Sequence, residues 1–471
     1  MKDSLGKPTI GLEIHAELLT KTKMFCDCLN DPNETHPNVN ICPVCTGHPG
    51  ALPVPNKKAI ELVLKTGLAL GGKVFSAGRS KFDRKNYFYP DLPKGYQISQ
   101  YDEPLVLGGE LLGVKITRIH LEEDAGSLIH APDGSLVDYN RSSAPLMELV
   151  TEPDIHSAEQ AMAFTRELQL IFKYLGASEA DMEKGLMRLE ANISWNMGTK
   201  VEVKNINSFK ALGAAIDYEL VRQKKVIEEG EKIMQETRGW DDKNLKTVSQ
   251  RSKEGAHDYR YFPEPDIPPF DASAFNLDVI KESIPELPAE KRVRFASEFG
   301  LNEIQTEILV NDAVLSDYYE EAVSELKQAG VENGAVLLFN FLTTDMLGFL
   351  NKMGLSLVTT KIKPVFLAHL VELATKGGVT TRVAKDLIAK IEEKGLDPHL
   401  IVQEEGLGVL EDADLIEKTI EEVLSSNEKA VADYKAGKES ALKFLVGMAM
   451  GKLKGKADPL KLTEKIKAKL S

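Results

Sequence analysis

Three groupings of side chains in this sequence could do chemistry. Ile10-Gly-Leu-Glu-Ile-His-Ala-Glu17 sets Glu13, His15 and Glu17 at alternate positions. Glu122-Glu123-Asp124-Ala-Gly126 lines up three acids before a glycine. Cys26-x-Cys28 and Cys42-Pro-Val-Cys45 contain all 4 cysteines of the chain. Two carboxylates flanking an imidazole repel each other unless something positive lies between them. Consecutive acids at a glycine turn suit a hard cation, although acidic turns are also common without one. Two short-spaced cysteine pairs suit tetrahedral thiolate ligation of zinc, with a redox pair or plain burial as the competing readings. A zinc site of this kind is closed and structural, and it leaves no cysteine free as a nucleophile.

Positive charge gathers in two segments. Lys81 to Gln100 mixes Arg84, Lys85 and Lys94 with tyrosines and prolines, and Thr237 to Pro269 carries Arg238, Arg251, Lys253 and Arg260. Each reads either as a surface loop or as a loop whose cations meet phosphate. Gly67-Leu-Ala-Leu-Gly-Gly-Lys73 comes close to a phosphate-binding P-loop, but Val74 replaces the required hydroxyl and the glycines end a helix instead of opening one.

The elements that must hold these groups are legible from periodicity. Ile10, Leu12, Ile14 and Ala16 alternate with Gly11, Glu13, His15 and Glu17, the pattern of a strand with one apolar face. Met187 to Trp195 repeats it, with Arg188, Glu190, Asn192 and Ser194 on the polar side, and Val201 to Lys204 repeats it again before Asn205. Glu17 is expected to be a solvated strand residue. Asn56 to Gly71 and Ser157 to Leu175 read as capped helices. From about Pro288 the period becomes helical, with candidates at 289–299, 302–311, 317–330, 335–353, 380–395 and 412–425, and a break near Gly406. The chain is expected to divide into domains at 1–290, 291–405 and 406–471. A net charge of −14 argues against a general nucleic-acid or membrane binder, yet Gly451 to Ser471 carries seven lysines against two acids. With no apolar run long enough to span a bilayer and no leader-like N-terminus, the protein is expected to be cytoplasmic.

Several longer motifs join these pieces. They are Ile-Gly-Leu-Glu-Ile-His (10–15), Cys-Pro-Val-Cys-Thr-Gly-His-Pro-Gly-Ala-Leu-Pro-Val (42–54) and Asp-Arg-Lys-Asn-Tyr-Phe-Tyr-Pro-Asp (83–91). To these add His-Leu-Glu-Glu-Asp-Ala-Gly (120–126), Asp-Tyr-Asn-Arg (138–141), Leu-Val-Thr-Glu-Pro-Asp (149–154), Val-Glu-Val-Lys-Asn-Ile-Asn-Ser (201–208) and His-Asp-Tyr-Arg-Tyr-Phe-Pro-Glu-Pro-Asp (257–266). Together they closely resemble the B subunits of the tRNA-dependent amidotransferases, along essentially the whole chain.

That resemblance implies an α+β fold: a glutamine-synthetase-like cradle with a mixed or antiparallel sheet, then an all-α domain and a small α-helical tail that contacts tRNA. It implies an ATP- and Mg²⁺-dependent kinase that phosphorylates the side-chain carboxylate of Glu-tRNA(Gln) or Asp-tRNA(Asn). Ammonia then displaces the phosphate, which makes the enzyme a carbon–nitrogen ligase with glutamine as amido donor. Carried over by motif, Glu13, His15, Glu123 and Glu190 would surround Mg²⁺, with Glu122 beside them. Arg84, Lys85, Tyr87, Lys204, Asn205, Arg238 and Lys253 would line the nucleotide and phosphates. Cys26, Cys28, Cys42 and Cys45 match the zinc-bearing members. The implied partners are the amidase (the A subunit of such enzymes), which supplies ammonia, a small C subunit that completes a heterotrimer, and the mischarged tRNA.

The acids, the cations and the lack of a free cysteine suit phosphoryl transfer, which is catalysed by positioning and charge neutralisation. Two rival readings are a glutamine-synthetase-type ligase acting on a free amino acid and a non-catalytic zinc-stabilised RNA-binding subunit. The helical half and basic tail argue against the first, and the carboxylate cluster argues against the second.

Overall fold

Pro8–Glu17 becomes an inner strand of a ten-stranded sheet in the computed structural model, which describes residues 6–252, 259–409 and 413–470. The chain divides into two compact units, Met1–Pro288 and Ala289–Ser471. The stretches 291–405 and 406–471, expected as separate domains, fall within one of them.

The strands that matter for the site are β1 (Pro8–Glu17), β2 (Asp83–Asn86), β3 (Tyr96–Ser99), β4 (Val114–Glu123), β5 (Pro145–Thr151), β6 (Met187–Trp195), β7 (Val201–Ile206), β8 (Glu236–Asp241) and β9 (Lys246–Ser252). The large sheet runs β9-β8-β7-β6-β1-β5-β4, and two short strands, Val106–Leu107 and Lys73–Val74, extend it beyond β4. Neighbours are antiparallel except β7 and β8, which are parallel, so the sheet is mixed as expected. β2 and β3 belong to a separate three-stranded sheet.

Alternation decides what each face does. Ile10, Leu12, Ile14 and Ala16 are buried with Leu189, Ala191, Ile193, Met147 and Leu149 in one core that helices cover. Those helices are α1 (Lys57–Ala69), α2 (Ala158–Tyr174) and α3 (Phe209–Glu228). Asn56 caps α1 by accepting from the backbone N–H groups of Lys58 and Ala59. Ser157 caps α2 at Gln160, while the Gln160 side chain accepts from the His156 N–H, one residue ahead of the position a strict capping box would use.

The glycine of the rejected P-loop has a packing role. A Cβ on Gly67 would stand 2.5 Å from Val106 Cγ2 and 2.8 Å from Cγ1, so α1 lies against the sheet edge only because this side chain is missing. Gly67→Ala is expected to destabilise the unit by about 1–3 kcal/mol through overpacking. Denaturant titration measures it, and adding Val106→Ala should recover part of the loss. An unchanged midpoint for Gly67→Ala alone would refute the close approach.

The second unit is helical. The expected helices appear as Pro288–Phe299, Glu303–Val310, Ala313–Gln328, Thr381–Lys394 and Ala413–Ser426, and the 335–353 stretch is a continuous helical run with a π-type segment at Phe341–Met346. Among the described residues, five more helices lie outside the periodic candidates: Pro364–Thr375, Pro398–Glu405, Glu428–Lys435, Glu439–Lys452 and Pro459–Leu470. Residues Ile420 to Leu470 contribute a core of their own. Within the basic tail, Lys452, Lys465 and Lys469 pair with Glu422, Glu417 and Glu421. No helix among the described residues is long and apolar enough to cross a membrane.

Candidate active site

The polar face of the large sheet floors a cleft of about 930 Å³. Strand register builds it. His15 on β1 lies opposite Glu148 on β5 and Arg188 on β6, and Glu148 lies opposite His120 on β4. One row therefore reads His120–Glu148–His15–Arg188 across four strands. In the neighbouring row Glu13 faces Glu190. The β6–β7 pairing slips between Leu189 and Ala191, so Lys204 and Asn205 together oppose Glu190, and Asn205 takes a left-handed backbone with φ 62°. The bulge leaves Lys204 Nζ 2.9 Å from Glu190 Oε2.

Glu148 is the hub. Its Oε2 lies 3.4 Å from His15 Nε2 and 3.3 Å from His120 Nε2, and its Oε1 lies 3.6 Å from Arg118 Nη2. Burial works to raise its pKa, but the two imidazoles outweigh it and hold the carboxyl well below the ordinary range. Burial works to lower the His15 pKa. Glu148, Glu13 and Glu122 overcome this and push it up to about 9. Glu13 is pushed up to about 7, chiefly by burial and then by the charges of Glu148 and Glu190. A carboxylate held that high beside two others is a place where added positive charge is favourable. From β2, Lys85 Nζ reaches Glu122 Oε2 at 3.0 Å, and from β3 Gln97 Nε2 donates to Glu122 Oε1 at 3.2 Å. Asp124 closes the cleft, bound by Arg188 at 2.8 Å.

Of the expected residues, Glu13, His15, Glu122, Glu190, Lys85, Tyr87 and Lys204 line this cleft. Others do not, and strand parity explains most of them. Glu123 follows Glu122 and points to the other face, where Lys94 Nζ at 2.7 Å and the Ile98 N–H at 2.8 Å occupy its oxygens. Arg84 precedes Lys85 and is likewise turned away, paired through two hydrogen bonds with the buried Glu264 and lying over the Tyr96 ring. Arg238 pairs with Val203, on the apolar side of β7, and bonds Glu236 and Thr247 near Glu219 of α3. Asn205 is exposed at the bulge and outside the lining. Lys253 lies outside the described residues. Glu17 is corrected too. It is buried, with its pKa pushed up to about 7 by burial and then by Asp124, so it is not a solvated residue.

Arg84→Ala is expected to leave Glu264 buried without its cation, costing about 3–5 kcal/mol. Activity per folded molecule should be retained, because Arg84 does not reach the cleft. A variant that melts normally but loses activity would overturn this placement.

Sequence reasoning missed Glu148, His120, Arg118 and Arg188 as site residues. For Glu148 the signal was one acid inside the apolar run Ala144-Pro-Leu-Met-Glu-Leu-Val150. The oxygen-rich set fits Mg²⁺. Glu13, Glu190 and Glu202 can each place a carboxylate oxygen within 4.8 Å of the others, and so can the donor atoms of Glu13, His15 and Glu148. His120 Nδ1 is buried beside them without a hydrogen-bond partner.

The four cysteines converge away from the cleft, with ligand atoms all within 4.8 Å of one another. Cys42 Sγ and Cys45 Sγ are 3.9 Å apart. A tetrahedron with Zn–S bonds of about 2.3 Å has edges of about 3.8 Å, so the spacing fits zinc. The thiols titrate against one another: Cys45 is driven down chiefly by its hydrogen bond from Cys26, which is itself driven up. The loop these pairs bracket is tied to the Asp138–Arg141 motif. Asn140 Oδ1 accepts from the Val39 and Asn40 N–H groups, and Asp138 Oδ1 accepts from Asn38 N–H. Arg141 continues the tie by donating to the carbonyls of Ala125 and Gly126, beside Asp124.

The chain is similar to known proteins along nearly its whole length. A family described as GatB/GatE catalytic domain matches residues 8–277, and a GatB domain family matches residues 317–470. An aspartyl/glutamyl-tRNA(Asn/Gln) amidotransferase B subunit from Thermotoga neapolitana is 47% identical over 98% of each chain. Its namesake from Carboxydothermus hydrogenoformans is 44% identical over 98% of each, and that from Crocosphaera subtropica is 43% identical over 98% of this chain and 97% of its own. Matched along nearly its full length, and by a catalytic-domain family over the whole sheet that bears the cleft, the chain belongs to the family of aspartyl/glutamyl-tRNA(Asn/Gln) amidotransferase B subunits.

Proposed function

We propose that this chain provides the kinase and amidation centre of a tRNA-dependent amidotransferase, acting on the side-chain carboxylate of Glu-tRNA(Gln), Asp-tRNA(Asn) or both. The observation that carries the reading is the cleft itself, where Glu13, Glu122, Glu148 and Glu190 are interleaved with Lys85, Arg118, Arg188 and Lys204. A carboxylate is a poor electrophile. ATP activates it by forming an acyl phosphate, and ammonia then attacks the carbonyl carbon as phosphate leaves. Positioning and charge neutralisation supply the catalysis, so no protein nucleophile is required. All 4 cysteines stand in the knuckle, consistent with that economy.

Glu13 and Glu190, with Glu122, Glu148 and His15 at hand, would hold Mg²⁺, which when bound neutralises the transferring phosphoryl group. Lys85 and Lys204 are placed to meet phosphate oxygens, each now held by an acid that a ligand would replace. Zn²⁺ in the cysteine knuckle would fix the loop that braces Asp138–Arg141. Ammonia would come from the amidase, the A subunit, with a small C subunit completing a heterotrimer. The lysines of Gly451–Ser471 would meet the tRNA backbone. The protein would work in the cytoplasm.

The test is ATP hydrolysis by the reconstituted complex. Mischarged tRNA is expected to stimulate it and free glutamate is not. Stimulation by free glutamate alone would favour the glutamine-synthetase-type ligase and end this reading.

A further inference from the structure

The helical unit holds a further convergence of metal-binding side chains, independent of the cleft and of the cysteines. Helix α4 (Pro364–Thr375) carries His369 and Glu372 on one face, three residues apart. Helix α5 (Thr381–Lys394) leads into Asp397, which caps helix α6 (Pro398–Glu405). Asp397 Oδ1 accepts the His399 N–H at 2.8 Å and lies 3.1 Å from His399 Nδ1. Its Oδ2 lies 2.6 Å from His369 Nδ1. His399 Nε2 stands 3.5 Å from Glu372 Oε2, while Lys376 occupies Glu372 Oε1 at 2.8 Å. The two imidazoles meet edge to face, with centroids 4.9 Å apart. Side-chain exposure is 28% for His369, 24% for Asp397 and 44% for His399, so an ion can enter from solvent.

We propose that His369, Asp397 and His399 form a binding site for a divalent transition-metal ion of the zinc, cobalt or nickel type. Capping α6 needs Asp397 alone and does not account for two imidazoles gathering around it. Donor atoms of the three residues lie within 4.8 Å of one another, a span one ion can bridge after small side-chain adjustments. Two imidazoles and a carboxylate select this class of ion over Mg²⁺ and Ca²⁺, which prefer all-oxygen sites. The cap and the site use different oxygens, Oδ1 for the helix and Oδ2 toward His369, so the cap pre-positions the ligand without being given up. A bound ion would clamp α4 to α6.

The test uses the full chain, stripped with a chelator and titrated with Co²⁺. Asp397→Asn keeps a good N-cap and removes the carboxylate, and His369→Ala with His399→Ala removes the imidazoles. Wild type is expected to take up one more equivalent of Co²⁺ than either variant, at micromolar or tighter affinity. The variants should bind that equivalent at least roughly 100-fold more weakly. The thiolate-to-cobalt charge-transfer absorption of the cysteine knuckle should be the same in all three, since the second site contributes none. Equal uptake by wild type and Asp397→Asn, or an extra equivalent that appears only at millimolar Co²⁺, overturns the proposal. Failure of the cysteines to bind metal would remove the charge-transfer absorption and leave the difference between wild type and variants intact.

Discussion

Glu13→Gln and Glu190→Gln, each in the assembled complex, should lower amidation of mischarged tRNA by at least roughly 100-fold, the scale seen when one preorganised charge is removed from a transition state. Glutamine hydrolysis by the partner should persist. Both substitutions keep side-chain volume and remove one charge from a face where acids crowd. Glu13 makes the sharper case, because fold stability should move the opposite way. Its pKa is about 7 in the fold against an ordinary 4.5, raised first by burial and then by Glu148 and Glu190. A raised carboxylate pKa means that the folded state prefers the proton. Stability is therefore lost as pH rises from about 4.5 through about 7, and Glu13→Gln escapes that loss. In metal-free protein at pH 8 the variant should melt no lower than wild type, while its amidation rate collapses. A variant that is slow only because it unfolds would contradict the assignment, and so would one that amidates at the wild-type rate.

Cys45→Ser should cost the chain its zinc and a large share of the first unit's stability. Cys45 is the one fully buried member of the cluster, and its carbonyl accepts the Ser142 hydroxyl at 3.0 Å. Losing a structural metal is worth on the order of 3–5 kcal/mol here, where the surrounding sheet persists. At roughly 2–4 °C per kcal/mol that lowers Tm by roughly 6–20 °C. Stripping the wild-type protein with a chelator should reproduce the shift, and restoring Zn²⁺ should reverse it in wild type alone. Chelation that releases no metal and leaves Tm unmoved would sink the zinc assignment.

How much of this was legible in the sequence follows from what each signal encodes. Alternation in Pro8–Glu17 and Met187–Trp195 gave both strands and their apolar faces, because a sheet with one wet face imposes period two. It gave Glu13, His15 and Glu190 as cleft residues for the same reason. Where several polar residues are consecutive, composition does not say which of them faces the cleft. Glu122 and Glu123 were both assigned to Mg²⁺, and Arg84 and Lys85 both to phosphate, yet one of each pair turns away. Arg238 depended on a parallel pairing between β7 and β8 that no local pattern announces. Glu148 was hidden because Leu146 and Val150, its neighbours on the cleft side of β5, are apolar like Met147 and Leu149 on the core side, so the strand shows no alternation. The helix Pro364–Thr375 escaped because its apolar residues fall nearly all round, leaving little contrast between faces.

The division of Glu122 from Glu123 also restricts how the gene can change length. Adding or deleting one residue within Val114–Glu123 would move every side chain beyond the change to the opposite face. An insertion would bring Leu121 to Lys85 in place of Glu122, and Glu122 to Lys94 in place of Glu123. Substitutions along β4 can be absorbed one at a time, but a single-codon indel rewrites both faces at once. Length variation is therefore expected in segments that carry no such frame. The exposed hairpin Ser127–Ala131 and Gly134–Asp138 is one, since its turn can grow without altering which acid meets the ligand.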